Sequence, residues 1–128
     1  MLKQIAYVAL YVSDQDKALA YYTDVLGFEK RLDSPTPDGL RFLTIGVAGQ
    51  AVELVLWPGT PGSANPAHGR SPATYTIEVD DCRRAFDALK PRGVNFVTDV
   101  LEFPWGYVAQ LRDPDGNVLA LRQGRKPA

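Results

Sequence analysis

The chain has 128 residues, of which 45% are hydrophobic and 23% charged, the usual mix for one globular domain. The formal net charge of -1 excludes a general attraction to nucleic acid or to anionic membranes. No apolar run approaches the roughly 20 residues that a membrane span needs. Cys82 is the single cysteine, which excludes an internal disulfide and a cysteine metal cluster. With no signal-peptide pattern at Met1, these features predict a cytoplasmic protein.

The first half of the chain predicts the order β-α-β-β-β. Residues 5–12 are β-branched and aromatic, which favours a strand. Asp14 can cap a helix whose apolar residues recur at helical spacing as far as Leu26, and Gly27 can end it. A turn-rich loop follows at 34–39, and further strands are predicted over 28–32, 40–47 and 51–57.

The second half predicts the same order after a linker. Residues 58–72 contain four prolines and three glycines, a composition typical of a linker. A helix is expected from the Asp80-Asp81 cap to about Lys90, and Asp113-Pro114-Asp115-Gly116 predicts a turn. Strands are predicted over 73–79, 95–103, 106–112 and 118–122. The chain is therefore predicted to be one domain of two modules, at about 4–57 and 73–123.

An internal repeat links the two modules. A shift of 67 residues places Val12-Ser13-Asp14 on Val79-Asp80-Asp81, and it places Gly49 on Gly116. Residue identity under this shift is weak, so the repeated order of elements is the stronger signal. The sequence therefore predicts two structurally similar halves.

Four motifs stand out together in the order Val8-Ala9-Leu10-Tyr11-Val12-Ser13-Asp14, Ala18-x-x-Tyr21-Tyr22-x-x-Val25-Leu26-Gly27-Phe28, Val52-Glu53-Leu54 and Asp113-Pro114-Asp115-Gly116-Asn117. With them the chain resembles the vicinal oxygen chelate superfamily, the group of glyoxalases, bleomycin-resistance proteins and extradiol dioxygenases. The resemblance covers nearly the whole chain. It implies an α+β fold in which two βαβββ modules form an open, cup-shaped mixed sheet with the helices outside. It also implies a small-molecule ligand in the cup and a homodimer.

The resemblance implies four metal-ligand positions, which this sequence fills with Tyr7, Glu53, Thr74 and Ala120. Of these four, Glu53 is a good ligand for a divalent metal, whereas alanine cannot coordinate and threonine and neutral tyrosine are poor ligands. The one histidine, His68, lies in the predicted linker. We therefore expect no metal at these positions and no cofactor.

Strand alternation predicts which side chains face the ligand. Glu53 is the candidate general base, although it could instead be a remnant paired with Arg122 or a tyrosine hydroxyl. Arg122 could clamp an anionic ligand or simply be solvated. Trp105 could line the rim or belong to the core or a dimer interface. The predicted ligand-binding residues are Tyr7, Tyr11, Glu53, Val55, Trp57, Thr74, Thr76, Trp105, Ala120 and Arg122.

Three functions are compatible with these residues. The first is a binding protein that holds an apolar or aromatic small molecule without a catalytic metal. The second is a glyoxalase-like lyase or dioxygenase-like enzyme that uses Glu53 as a base or as a metal ligand. The third is a structural or regulatory partner domain. Whether any reaction is catalysed stays open at this point, because fold does not determine function.

Overall fold

The computed structural model describes residues 1–59 and 73–124. The chain divides into two compact units, Met1–Gly62 and Ser63–Ala128, and the division falls inside the predicted linker. Each unit has a mixed sheet and one principal helix among its described residues. The predicted α+β class is confirmed, and unit 1 has the predicted order β-α-β-β-β. Residues 60–72, which include His68, lie outside the described residues.

The helix of unit 1 begins and ends where the sequence predicts. The Asp14 side chain accepts a hydrogen bond from the Lys17 backbone N–H at 3.0 Å, which caps the helix. Gly27 has a φ of 87°, a left-handed conformation that favours glycine after a helix. The elements of unit 1 are β1 (Tyr7–Val12), α1 (Gln15–Ala20) with a π-helical continuation (Tyr21–Val25), β2 (Glu29–Pro35), β3 (Arg41–Gly46) and β4 (Glu53–Pro58).

The second strand is longer than predicted. The sequence predicts its end at Leu32, but β2 continues to Pro35 because Ser34 and Pro35 still pair with β3. The register shifts between Lys30 and Asp33, and there the Leu32 backbone N–H donates to the Thr44 hydroxyl at 3.0 Å. The bulge therefore brings a side chain into a position that a backbone carbonyl would otherwise occupy.

The sheet of unit 1 has the strand order β1-β4-β3-β2, with β1 parallel to β4 and the other pairs antiparallel. One face packs on α1, whose Gln15 side chain donates to the Leu56 carbonyl at 2.9 Å. This helix-side face is apolar and buried, through Leu10, Val12, Leu43, Ile45, Leu54 and Leu56.

Unit 2 repeats the capping pattern. The Asp81 side chain accepts from the Arg84 backbone N–H at 3.0 Å, and Gly93 ends the helical segment with a φ of 89°. Its sheet has the order β5-β9-β8-β6, with β7 also pairing with β8. The elements are β5 (Tyr75–Glu78), α2 (Cys82–Leu89) with a 3-10 turn (Lys90–Arg92), β6 (Asn95–Phe96), β7 (Leu101–Phe103), β8 (Gly106–Arg112) and β9 (Val118–Gly124).

The prediction of one strand over 95–103 is wrong. The backbone N–H groups of Val97 and Thr98 both point at the Gln110 carbonyl, at 2.8 and 3.3 Å, and the Gln110 N–H donates to the Thr98 hydroxyl at 3.1 Å. The Thr98 side chain thus replaces a backbone acceptor and interrupts the ladder between β6 and β7.

The turn between β8 and β9 is built on Asp113. One carboxylate oxygen accepts from the backbone N–H groups of Asp115 and Asn117, and the other accepts from the Asn117 side-chain amide, all at 2.9 Å. Gly116 follows with a φ of 87°. The predicted turn is therefore present, and its aspartate is a buried structural residue. No helix in the described part of the chain is long and apolar enough to cross a bilayer.

Candidate functional site

The face of the unit 1 sheet away from α1, here called the open face of unit 1, carries an array of aromatic rings. The ring centroids of Tyr7 and Phe42 are 5.5 Å apart in an edge-to-face arrangement. Phe42 in turn lies 6.5 Å from Trp57. Tyr11, one position before the end of β1's pairing with β4, lies directly opposite Trp57. The predicted residues Tyr7, Tyr11 and Trp57 therefore share one face.

These rings are accessible, while the residue between them is not. Tyr7 and Tyr11 are 49% and 46% exposed, and Phe42 and Trp57 are half-buried. Val55 faces the same way but is only 7% exposed, because it lies on β4 between the strands that carry Tyr7 and Phe42. Val55 thus forms a floor under the rings, and a ligand on this face would meet the rings first.

Phe42 is a ring that the sequence reasoning missed. Its strand was predicted, but the face of that strand was not assigned. The available signal was the alternation that puts Phe42, Thr44 and Gly46 on one side of β3. The register confirms this alternation, since Thr44 lies opposite Val55 and Gly46 lies opposite Glu53.

Glu53 sits at the edge of this ring array with two polar partners. The Thr44 hydroxyl donates to Glu53 Oε1 at 2.8 Å, and Thr44 itself is fully buried. The Arg31 guanidinium nitrogen Nη1 lies 3.6 Å from Glu53 Oε2. Glu53 is therefore partnered from β2 and β3, and neither Arg122 nor a tyrosine hydroxyl is its hydrogen-bond donor among the described contacts.

Arg31 is held in place by contacts other than Glu53. Its Nη2 donates to the carbonyls of Val47 and Gln50, at 2.8 and 3.0 Å, and its Nε donates to Glu29 Oε1 at 2.8 Å. A Cβ at Gly46 would lie 2.7 Å from the guanidinium carbon, so glycine is what allows Arg31 to cross β3. The sequence reasoning did not identify Arg31, because its role depends on the bulge in β2.

The residues at the implied metal positions do not fit a metal. Tyr7 lies directly opposite Glu53 in unit 1, but in unit 2 Ala120 lies opposite Thr76, and Thr74 donates its backbone N–H to Val118 at 2.7 Å. The pairing of the first strand with the last strand therefore differs by two residues between the units: Glu53 lies opposite Tyr7, whereas Ala120 lies opposite Thr76 and not Thr74. Glu53 supplies the one carboxylate, and it already contacts a guanidinium. No group of three His, Cys, Asp or Glu residues in 1–59 and 73–124 could hold a metal ion.

The corresponding face of unit 2, here called the open face of unit 2, has aromatic rings that already have partners. Arg122 forms an ion pair with Glu78, and its guanidinium carbon lies 4.7 Å from the Trp105 ring centroid. Trp105 also stacks on Phe103, with centroids 5.3 Å apart and planes 4° from parallel. Thr74 and Thr76 are exposed on this unit, and Ala120 is buried.

The thiol of Cys82 is structural. Cys82 is fully buried, its Sγ lies 3.7 Å from the Leu121 carbonyl, and burial raises the pKa of the thiol. A thiol in this state is a poor nucleophile.

Two hollows in unit 2 lie beside α2 and contain none of the predicted ligand-binding residues. One, of about 460 Å³, includes Asp81, which accepts from the Arg84 N–H, and Gln123, which accepts from the Cys82 N–H. The other, of about 660 Å³, runs along Phe86 and Phe96. Side chains that cap α2 thus line the first hollow. The second lies where α2 packs on β6, with the Phe86 and Phe96 ring centroids 4.2 Å apart.

Comparison with known proteins agrees with this fold. The chain is 31% identical over 123 residues to the uncharacterized protein YetH of Bacillus subtilis, covering 96% of this chain and 100% of that protein. It is 28% identical to a probable lactoylglutathione lyase of Vibrio parahaemolyticus, covering 96% and 92% of the two chains. Its structure resembles TnmS3, an antibiotic-binding protein from Streptomyces sp. CB03234, with a TM-score of 0.77, 29% identity, and coverage of 97% and 98%. The model of the Glyoxalase/Bleomycin resistance protein/Dioxygenase superfamily matches residues 4–121, and the chain therefore belongs to that superfamily.

Proposed function

We propose that this chain is a binding protein that holds a flat aromatic small molecule against the open face of unit 1 without a catalytic metal. The observation that carries the proposal is the ring array of the exposed Tyr7 and the half-buried Phe42 and Trp57 beside Glu53. A ring face that is exposed to water loses few favourable interactions when a planar ligand covers it, and it gains contact area with that ligand. The similarity to an antibiotic-binding protein supports this class of ligand.

The remaining predicted contacts complete the proposal. We expect Thr76 and Trp105 to contribute to ligand binding less than the rings of unit 1, since Trp105 already stacks on Phe103. The homodimer implied by the superfamily resemblance and the cytoplasmic location also stay predictions. Sedimentation velocity on the purified chain would test the dimer directly.

Isothermal titration with a neutral planar probe, 1,8-dihydroxyanthraquinone, tests the proposal. We expect saturable binding by the wild-type protein and a dissociation constant about fivefold larger for Phe42→Ala, since one ring contact contributes about 1 kcal/mol. Phe96→Ala is the matched control, because Phe96 packs on Phe86 beside α2 and away from the open face. Absence of saturable binding by the folded wild type would refute the proposal.

A lyase-like or dioxygenase-like enzyme that uses Glu53 as a base or as a metal ligand is the second candidate, and the similarity to a probable lactoylglutathione lyase favours it. Elemental analysis after incubation with Ni²⁺, Zn²⁺, Fe²⁺ and Mn²⁺ and desalting tests the metal-dependent form of this enzyme. Substoichiometric metal throughout is expected for the binding protein and for an enzyme that uses Glu53 as a base without metal. One metal per chain, lost in Glu53→Ala, would instead favour metal-assisted catalysis.

A further inference from the structure

The charges around Glu53 leave the edge of the ring array with an unbalanced negative charge. Arg31 is one cation shared between two carboxylates, with Nε at 2.8 Å from Glu29 and Nη1 at 3.6 Å from Glu53. The closer and hydrogen-bonded partner is Glu29. The three groups therefore sum to one negative charge, and Glu53 is the carboxylate that is less completely neutralised.

One oxygen of Glu53 is also available as an acceptor among the described contacts. Oε1 takes the Thr44 hydroxyl at 2.8 Å, whereas the nearest described donor to Oε2 is Arg31 at 3.6 Å, beyond hydrogen-bond distance. The Glu53 side chain is 19% exposed, so a ligand atom can reach it. A new donor at Oε2 would complete the hydrogen bonding of the carboxylate.

The neighbouring rings favour the same kind of donor. Tyr7 lies directly across from Glu53 on the adjacent strand, where backbones are about 4.8 Å apart. The electron-rich faces of tyrosine, phenylalanine and tryptophan attract cations, and a nearby carboxylate reinforces that attraction. An anionic group at this position would face both the carboxylate and the rings unfavourably.

We propose that the ligand of this face carries a protonated amine that donates to Glu53 Oε2 while its aromatic body lies on Tyr7, Phe42 and Trp57. This inference rests on the proposed function and adds the charge class of the ligand to it. Arg31 then limits the negative charge of Glu53, because its Nη1 lies 3.6 Å from Oε2.

Three naphthalenes that differ in one group test the inference by isothermal titration: 2-naphthylmethylamine, 2-naphthylmethanol and 2-naphthoate. We expect the amine to bind wild-type protein about tenfold more tightly than the alcohol, as a charge-assisted hydrogen bond would produce. The naphthoate should bind most weakly. Equal binding of amine and alcohol would overturn the inference, and this wild-type comparison needs no variant to fold.

Variants locate the preference at Glu53. Glu53→Gln keeps an acceptor for the Thr44 hydroxyl and should lower the affinity of the amine to that of the alcohol. Arg31→Gln removes the competing cation and should increase the ratio of the amine's affinity to the alcohol's affinity. Lys30→Gln is the matched control, because this substitution removes the same charge from the opposite side of β2. Lys30 pairs with Asp33 there. A preference for the amine over the alcohol that persists in Glu53→Gln, or that becomes smaller in Arg31→Gln, would contradict the assignment of the amine to Glu53.

The outcomes also separate this inference from the proposed function. Should all three probes bind equally well and weaken together in Phe42→Ala, the ring array is a binding face and the amine inference is wrong. If none of the three binds to folded protein, the proposed function fails and the inference fails with it.

Discussion

The open faces of the two units use aromatic rings in opposite ways. In unit 1, Tyr7 and Tyr11 remain about half exposed, and Phe42 joins Tyr7 to Trp57. In unit 2, Trp105 is 44% exposed, but its ring already contacts Arg122 and Phe103. Exposure alone therefore does not identify a binding ring. What distinguishes unit 1 is that its rings meet edge to face beside a carboxylate, whereas Trp105 stacks on Phe103 and lies against the Arg122 guanidinium.

The helix-side faces of the two units, in contrast, are built alike. Each helix is capped by an aspartate, Asp14 or Asp81, and each helical segment ends at a glycine in the left-handed conformation. Each sheet buries leucines against its helix. The packing requirement constrains this face in both halves, whereas the open faces are free to carry different chemistry. The predictions below test that contrast.

The largest expected effect is on the shared helix-side packing. Tyr22 is fully buried and its ring centroid lies 5.4 Å from that of Phe28, and in unit 2 the buried Phe86 lies 4.2 Å from Phe96. Alanine at either position should lower the free energy of unfolding by about 3–5 kcal/mol, measured by urea denaturation. Ile5→Ala, at an exposed position, is the control. A cost below about 1 kcal/mol in one unit would show that the two cores are not equivalent.

The next effect concerns the turns that precede the last strand of each unit. Asp113→Ala should cost about 2–3 kcal/mol, since it leaves buried N–H groups of Asp115 and Asn117 without their acceptor. The turn in unit 1 rests on a backbone hydrogen bond from Gln50 to Val47, so Gln50→Ala should cost less than about 0.5 kcal/mol. Chemical denaturation of both variants checks the difference, and equal costs would contradict it.

A third prediction compares the two tryptophans. Trp57→Ala should weaken binding of 2-naphthylmethanol about fivefold, because it removes one end of the open ring array. Trp105→Ala should weaken it less than about twofold, since that ring is already covered by Arg122 and Phe103. Isothermal titration measures both. The reverse order would place the main binding surface in unit 2.

The smallest effect is a pH dependence in unit 1. The hydrogen bond and charge of Arg41 lower the pKa of Asp33 from its ordinary value of 3.8 to about 2. A carboxyl whose pKa is lower in the folded state stabilises the fold above its unfolded pKa and loses that contribution as the pH falls. Asp33→Asn should therefore flatten the decline in stability between about pH 4 and pH 2, seen in melting temperature. An unchanged decline would contradict the role of Arg41.

Local signals in the sequence predicted most of the fold. Asp14, Gly27 and Asp81 act through neighbours close in the chain, and the structure has them in the predicted places. The break between β6 and β7 was not predictable in this way, because the Thr98 hydroxyl finds its partner on β8. Long-range pairing of that kind leaves no periodic trace in the sequence.

The candidate site was predicted in part for the same reason. Alternation along single strands placed Tyr7, Glu53 and Trp57 on one face, and the register agrees. Phe42 was missed because the faces of β3 were left unassigned, although alternation along that strand places it. Arg31 was missed because its role depends on how β2 and β3 pair across a bulge. The two-residue difference in stagger between the units is likewise a property of the pairing of β5 with β9.

The most direct test of the central claim is to map where a flat ligand binds. Backbone amide resonances of ¹⁵N-labelled protein would be followed by NMR during titration with 2-naphthylmethanol. The proposed function predicts that the largest shift changes occur in β1, β3 and β4, around Tyr7, Phe42 and Trp57. Changes confined to the groove of unit 2 beside Phe86 and Phe96, or no saturable change at all, would contradict it.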